Sequence, residues 1–301
     1  MADKARKWTD KQLKQIENRI TKIYTDAQDE ISKSWNAYMG KVAKKLEKLQ
    51  QEYDAAKASG DNDLIKSVGE KLGKAKASET YQNARYKAML DDVTDKLANV
   101  NQTAVSYING ELPSIYAINY NSIAPEAKIA GVNFTLVNES VIRRRIIDGD
   151  ITNPFMHLEK FLNIPKDKRW NTKLLNSQIV QGILQGEPMS KIANRIYPIV
   201  NHNKNAAIRN ARTMVTGAEN KGRQDSAEEL EKLGAIIEKT WIATHDSRTR
   251  DSHMELDGAS VDNDEPFANG LMYPGDPSGA PEEVYNCRCS TKRRIVGVKK
   301  T

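Results

Sequence analysis

The chain has few residues that could build a thick core and none that could tie distant segments together covalently. Its 301 residues include two cysteines, four phenylalanines and four tryptophans. The cysteines, Cys287 and Cys289, are one residue apart. A bond between them would close a tight, strained ring and staple nothing remote, so reduced thiols are expected. No run of about 18 apolar residues occurs, which argues against a membrane-spanning helix. The opening Met1-Ala2-Asp3-Lys4-Ala5-Arg6-Lys7 is not followed by an apolar signal core, and synthesis in the cytoplasm is the expectation. Internal repeats are absent as well. From Met254 to Asn286 there is no Lys or Arg but eight acids: Glu255, Asp257, Asp262, Asp264, Glu265, Asp276, Glu282 and Glu283. Phosphate would be repelled there, so any nucleic-acid contact should come from the helical half or from the basic C-terminal residues.

What is present points to helices. Hydrophobic residues make up 39% and charged residues 29%, a balance suited to long solvated helices. The net charge of +6 makes attraction to polyanions conceivable, but it is interspersed charge and reads first as a solvated surface. Leu13, Ile16, Ile20, Ile23, Ala27, Ile31, Trp35, Met39, Val42, Leu46, Leu49 and Tyr53 recur at steps of three or four. That spacing places one apolar stripe on a long helix. Ser59-Gly60-Asp61-Asn62-Asp63 breaks it with turn formers and a fresh N-cap. A second helix is expected from about Leu64 to Val105, giving a hairpin over residues 1–108 whose striped face should seek a partner.

From 109 to 170 the periodicity fades among Pro113, Pro125, Gly131, Gly149, Pro154 and Pro165, and an irregular connector with short helices is expected. Within it, Arg143-Arg144-Arg145 reads as a solvated patch before a phosphate clamp. Helical patterning returns from about Asn171 to Leu184, from Ser190 to Ile199 and from Lys204 to Leu233. Ala235 to Ala243 reads as a strand. Asp257 to Glu283 is loop-like, and Cys289 to Val298 could close a small sheet. The fold class is therefore mostly α with a small α+β C-terminal domain, over residues 171–301.

The segment Trp241 to Cys289 holds both cysteines and two of the four histidines. Its ordered features are Trp241, Asp246, Arg250, His253, Asp257-Gly258, Phe267, Pro274-Gly275-Asp276-Pro277 and Cys287-Arg288-Cys289, preceded by Gly186-Glu187-Pro188 and Arg212-Thr213. This set resembles the phage Mu F-like head morphogenesis family. The resemblance implies a minor capsid protein of tailed phages, associated with the portal inside the head, with a structural role for those motif residues. It also implies a virion location, with host cytoplasm during assembly, and work in capsid assembly or DNA packaging and delivery. Scaffold or coat protein and packaged DNA are further candidate partners, and a membrane is not. One departure is Met214, where a Glu commonly follows the Arg-Thr pair.

Chemistry at the motif has two readings. Cys287, Cys289 and His253 are ligand types that zinc accepts, with Asp246 or His245 available as a fourth. Cys-x-Cys is, however, not the usual Cys-x2-Cys knuckle. The favoured reading is a loop-rich subdomain whose Cys and His are buried and hydrogen-bonded, with Asp246 bonding Arg250 or backbone amides. No catalytic or cofactor-binding residue is assigned, because no oxyanion element or Gly-rich phosphate loop accompanies the cluster. Two alternatives remain to be weighed. One is a DNA-binding module holding packaged DNA near the portal, and the other is a metal-dependent hydrolase.

Overall fold

The computed structural model describes residues 3–80, 84–148, 164–185, 187 and 189–299. Among these the fold is mostly α, with a small antiparallel sheet near the C-terminus. The helices are α1 (Lys4–Ser59), α2 (Asn62–Thr80), α3 (Ala84–Tyr120), α4 (Ala124–Ile129), α5 (Glu139–Asp148), α6 (Ile164–Leu184) and α7 (Met189–Lys232). Strand β1 (Ala235–Ile242) follows, then α8 (Asp251–Glu255), β2 (Ser260–Asp262), α9 (Pro281–Val284) and β3 (Ser290–Val298). Gly186 and Pro188 of the expected helix break, with Gly149 and Pro154, lie outside the described residues. No helix of the described residues is long and apolar enough to cross a membrane.

The first helix begins where the Asp3 carboxylate accepts the amides of Ala5 and Arg6 at 3.0 and 3.1 Å, satisfying donors that a helix start leaves orphaned. It ends at Gly60, whose φ of 71° is the left-handed conformation glycine adopts cheaply. Asp61 then caps α2 through the amides of Asp63 and Leu64, both at 3.0 Å. The hairpin turn thus falls at the expected 59–63 break. Where α1 and α2 pack, a Cβ on Gly69 would sit 3.1 Å from the Tyr53 ring.

Two helices run through interior prolines, Pro113 and Pro198. The reading of one helix ending near Val105, with a connector from 109, is corrected: α3 extends to Tyr120 across Pro113. Likewise α7 is continuous across Pro198, where two separate segments were expected. An interior proline costs a helix about 3 kcal/mol. Its neighbours offset that by burial, roughly 1.5–3 kcal/mol for each large apolar side chain. Beside Pro113 lie the buried Leu112, Ile115 and Tyr116, and beside Pro198 the buried Ile196, Ile199 and Val200.

By internal contacts the chain divides into two compact units. These cut across the linear division at 108 and 170. One unit comprises Thr21–Thr103 and Leu162–Asn205. Within it Tyr86 Oη donates to Asn176 at 2.6 Å and Tyr24 Oη to Asn101 at 2.5 Å, while Asn101 donates to Asn203 at 3.1 Å. The other comprises Met1–Ile20, Ala104–Phe161 and Ala206–Thr301. Of the α1 stripe, Ile16, Ile20, Ala27, Ile31 and Trp35 are buried within the chain. That part of the stripe is core and not the adhesive surface the pattern suggested.

In the second-named unit, β1 is the centre of the order β2-β1-β3, antiparallel to both neighbours. Its residues alternate, with Ala235, Ile237, Lys239 and Trp241 buried, as a strand with one covered face requires. The short β2 lies in the stretch expected to be loop-like. Of the arginine run, Arg143 is committed locally: Nε donates to Glu139 at 2.8 Å and Nη2 to the Gly110 carbonyl at 2.6 Å.

Candidate functional site

The end of β1 delivers Trp241 into a small core of Leu256, Phe267, Leu271, Val284, Cys287 and Cys289. Its ring meets both His253 and Phe267 edge-to-face, each at 5.1 Å between centroids. Such T-shaped pairs suit the ring quadrupoles. The one-turn helix α8 carries His253, fully buried, towards the two sulfurs. Cys287 and Cys289 arrive from the other side after Asn286, a non-glycine residue with positive φ, 61°. Asn tolerates that conformation better than most. The kink turns the chain from α9 into β3.

Helix α7 holds this approach in place with polar side chains at helical spacing. Thr213 Oγ1 accepts the amide of Asn286 at 2.7 Å, and Thr216 Oγ1 donates to the Cys287 carbonyl at 2.6 Å. Asn220 donates to the Cys289 carbonyl at 3.2 Å and accepts the Thr291 amide at 2.9 Å, and Arg223 Nη1 donates to the Thr291 carbonyl at 2.9 Å. Steps of three and four place these four residues on one helix face. Arg212, one position before Thr213, pairs with Glu17 of α1 at 2.6 Å. Met214, where the resembling family commonly has Glu, is buried.

His253, Cys287 and Cys289 come together: Nδ1 and the two Sγ atoms lie within 4.8 Å of one another. Nδ1 is 3.5 Å from Cys287 Sγ and 3.6 Å from Cys289 Sγ. At the far side of the ring, Nε2 donates to Glu283 Oε2 at 2.8 Å, a carboxylate that Ser252 also reaches. The thiols are driven apart in acidity. The hydrogen bond from Cys287 favours the Cys289 thiolate. The same bond, with burial, keeps Cys287 protonated.

Asp246 and His245, the other ligand candidates, are outside that cluster. Asp246 forms a two-pronged ion pair with Arg288, Oδ1 accepting Nη2 at 3.0 Å. This pair holds its carboxyl well below the usual carboxylate range. Oδ1 also accepts the Arg248 amide at 3.0 Å. Of the two partners expected for Asp246, Arg250 or backbone amides, the amide is found, while Arg250 Nη2 donates to the Tyr285 carbonyl at 2.6 Å. His245 Nε2 lies 2.9 Å from Asp257, whose other oxygen accepts the Ala243 amide at 2.8 Å. Gly258, with φ 81°, returns the chain to pair with Trp241, its amide donating to the Trp241 carbonyl at 2.9 Å. Asp276 ties its own loop, accepting the amides of Met272 at 3.0 Å and Ser278 at 2.9 Å. Beside it Pro274 is buried, and Gly275 comes so close to α7 that a Cβ there would sit 3.0 Å from the Gly217 nitrogen.

Sequence reasoning missed Thr216, Asn220 and Arg223. The available signal was their i, i+4, i+7 spacing on a helix, polar side chains in a row that continues from Thr213. It also missed Lys239, which is buried in β1 and donates to the Asn263 carbonyl at 2.9 Å. Burial, with the nearby Arg293, pushes the Lys239 ammonium down to about 8. Asn220→Ala is expected to destabilise the unit by about 2–4 kcal/mol, since it orphans the buried Cys289 carbonyl and Thr291 amide at roughly 1–3 kcal/mol each. Denaturant melts measure this, and a loss under half a kcal/mol would mean the helix does not hold the strand through Asn220.

Residues 173–292 match the family model described as Phage Mu protein F like protein. That part of the chain is similar to this family, as its ordered motifs suggest. Two relatives give that class further context. The minor head protein GP7 of Bacillus phage SPP1 is 24% identical over 288 residues, 92% of this chain and 84% of its own. The NAD(+)–arginine ADP-ribosyltransferase EFV of Enterococcus faecalis is 35% identical over 126 residues, 41% of this chain. The match spans only 26% of that transferase's length. No solved structure matches.

Proposed function

We propose that the chain is a minor head protein of a tailed phage, built into the head and attached to the portal, with a non-enzymatic role in assembly or in DNA packaging and delivery. The observation that carries this reading is the match to the SPP1 minor head protein, which runs along nearly the whole of both chains. The geometry agrees with a rigid module. Asp246 is spent on Arg288, Arg250 on a backbone carbonyl, Arg212 on Glu17 and Asp276 on its own loop. Polar groups committed in this way hold a shape and are not poised for turnover. The transferase's activity is that protein's own, and only about a quarter of its length is shared.

The DNA-binding alternative draws less support. Several helix lysines face a carboxylate one turn away, among them Lys22 with Asp26, Lys48 with Glu52 and Lys96 with Asp92. Local pairing of this kind flattens the positive field that a phosphate backbone needs. The test is mass spectrometry of purified heads, together with co-purification of the full chain with the portal protein encoded in the same genome. Presence in heads and portal association that survives about 200 mM salt are expected. Absence from heads would refute the reading. Binding to DNA that falls about a thousandfold between roughly 50 and 200 mM salt, without portal association, would favour the alternative.

A further inference from the structure

We propose that His253 Nδ1, Cys287 Sγ and Cys289 Sγ bind one zinc ion, which ties α8 to the start of β3 and closes the acidic loop between them. The inference rests on the site's geometry alone and does not depend on the role in the head.

The spacing of the three atoms is the first support. Zinc sits about 2.3 Å from a thiolate sulfur and about 2.0–2.1 Å from an imidazole nitrogen, so two corners of a tetrahedron carrying one of each are about 3.6 Å apart. The two observed nitrogen–sulfur distances are 3.5 and 3.6 Å. An ion could therefore enter between the three atoms with the side chains where they are.

The orientation of the imidazole is the second support. Nε2–H donates to Glu283 at 2.8 Å, which leaves the Nδ1 lone pair directed at the sulfurs. A carboxylate behind the ring is the usual way in which a metal-binding histidine is fixed in tautomer and angle. Chemistry and burial agree. His253, Cys287 and Cys289 are 1%, 3% and 2% exposed, and Trp241 walls the ring on its flank. Two thiolates and a neutral imidazole around a dication carry no net charge, which suits an apolar surround where a bare ion would be costly. The ligand set of one nitrogen and two soft sulfurs selects zinc over calcium or magnesium.

The ligands come from two segments more than thirty residues apart in sequence, with the loop of eight acids between them. An ion at this point joins the loop's two ends. Among the described residues no fourth His, Cys, Asp or Glu joins the set, so water completes the tetrahedron. Binding releases the thiol protons to solvent and oxidises nothing.

The test uses the full chain, purified without a polyhistidine tag from zinc-supplemented medium and freed of loose metal by gel filtration. Elemental analysis should find one zinc per chain. Replacement by cobalt(II) should give the thiolate-to-cobalt charge-transfer absorption and the visible bands of a tetrahedral site. Cys287→Ser and Cys289→Ser should each weaken that absorption. Glu283→Gln should keep the spectrum but weaken cobalt affinity about 10–100-fold, the effect of a positioning residue. Because the serine variants could fail to fold, the wild-type chain is also melted with and without a strong chelator. A lower midpoint with chelator supports the staple. A folded wild-type chain with only trace zinc, no charge-transfer band on cobalt addition and a melt indifferent to chelator would overturn the proposal. So would a bound metal whose cobalt spectrum shows no sulfur ligand.

Discussion

Trp241→Ala is expected to cost about 3–5 kcal/mol, the range for removing a large aromatic side chain from a packed core. The indole is fully buried and is the shared wall of the motif core, touching His253 on one edge and Phe267 on the other. Its removal leaves a void at the end of β1, and the 34-residue span from His253 to Cys287 loses the surface that positions α8. Each lost edge-to-face contact contributes about 0.5–1.5 kcal/mol beyond buried area. The melting midpoint of the full chain should fall by roughly 10 °C. Trp241→Phe should recover more than half of the loss, because a smaller ring still fills part of the space. A midpoint within about 2 °C of wild type would show that the motif core is not organised around this residue.

How much of this was legible beforehand varies by element, and the variation has physical causes. The α1–α2 turn was readable because Gly60 and Asp61 act locally: one supplies the positive φ and the other caps the next helix within three residues. Strand β1 was readable as a short run rich in β-branched and apolar residues after Gly234, and the Cys/His cluster from the crowding of scarce residue types. Pro113 misled for the opposite reason. The local cost of a proline is visible in sequence, while the burial that offsets it comes from distant partners. The supporting face of α7 was hidden in the same way. Thr216 and Asn220 are ordinary helix-surface residues until β3 is placed beside them.

The boundary drawn at 171 shows the same limit. Arg223 of α7 donates to Asn119 of α3 at 3.0 Å and pairs with Asp3 at the start of α1 at 2.5 Å, and Asn119 donates to Thr9 at 2.8 Å. Composition shifts along the chain mark where helices give way to loops. They do not reveal that the first twenty residues and the second half of α3 belong to the unit that contains the motif.

That shared packing yields the sharpest mutational contrast. At Gly222 helix α7 crosses α3 so closely that a Cβ would lie 2.6 Å from the Tyr116 carbonyl oxygen and 3.1 Å from the Tyr120 nitrogen. Both are backbone atoms, so no rotamer change relieves the clash and the helices must part. Gly222→Ala is therefore expected to destabilise the protein by about 3 kcal/mol, the upper part of the usual overpacking range. It should do so although alanine favours a helix interior by about 1 kcal/mol over glycine. Gly110, two turns earlier on α3, has nothing within 4 Å of its ideal Cβ. There the helix preference acts unopposed, and Gly110→Ala should stabilise by about 0.5–1 kcal/mol. Denaturant unfolding of the two variants beside wild type measures the difference of about 4 kcal/mol. Equal, slightly stabilising effects at both positions would mean that α3 and α7 do not meet backbone to backbone.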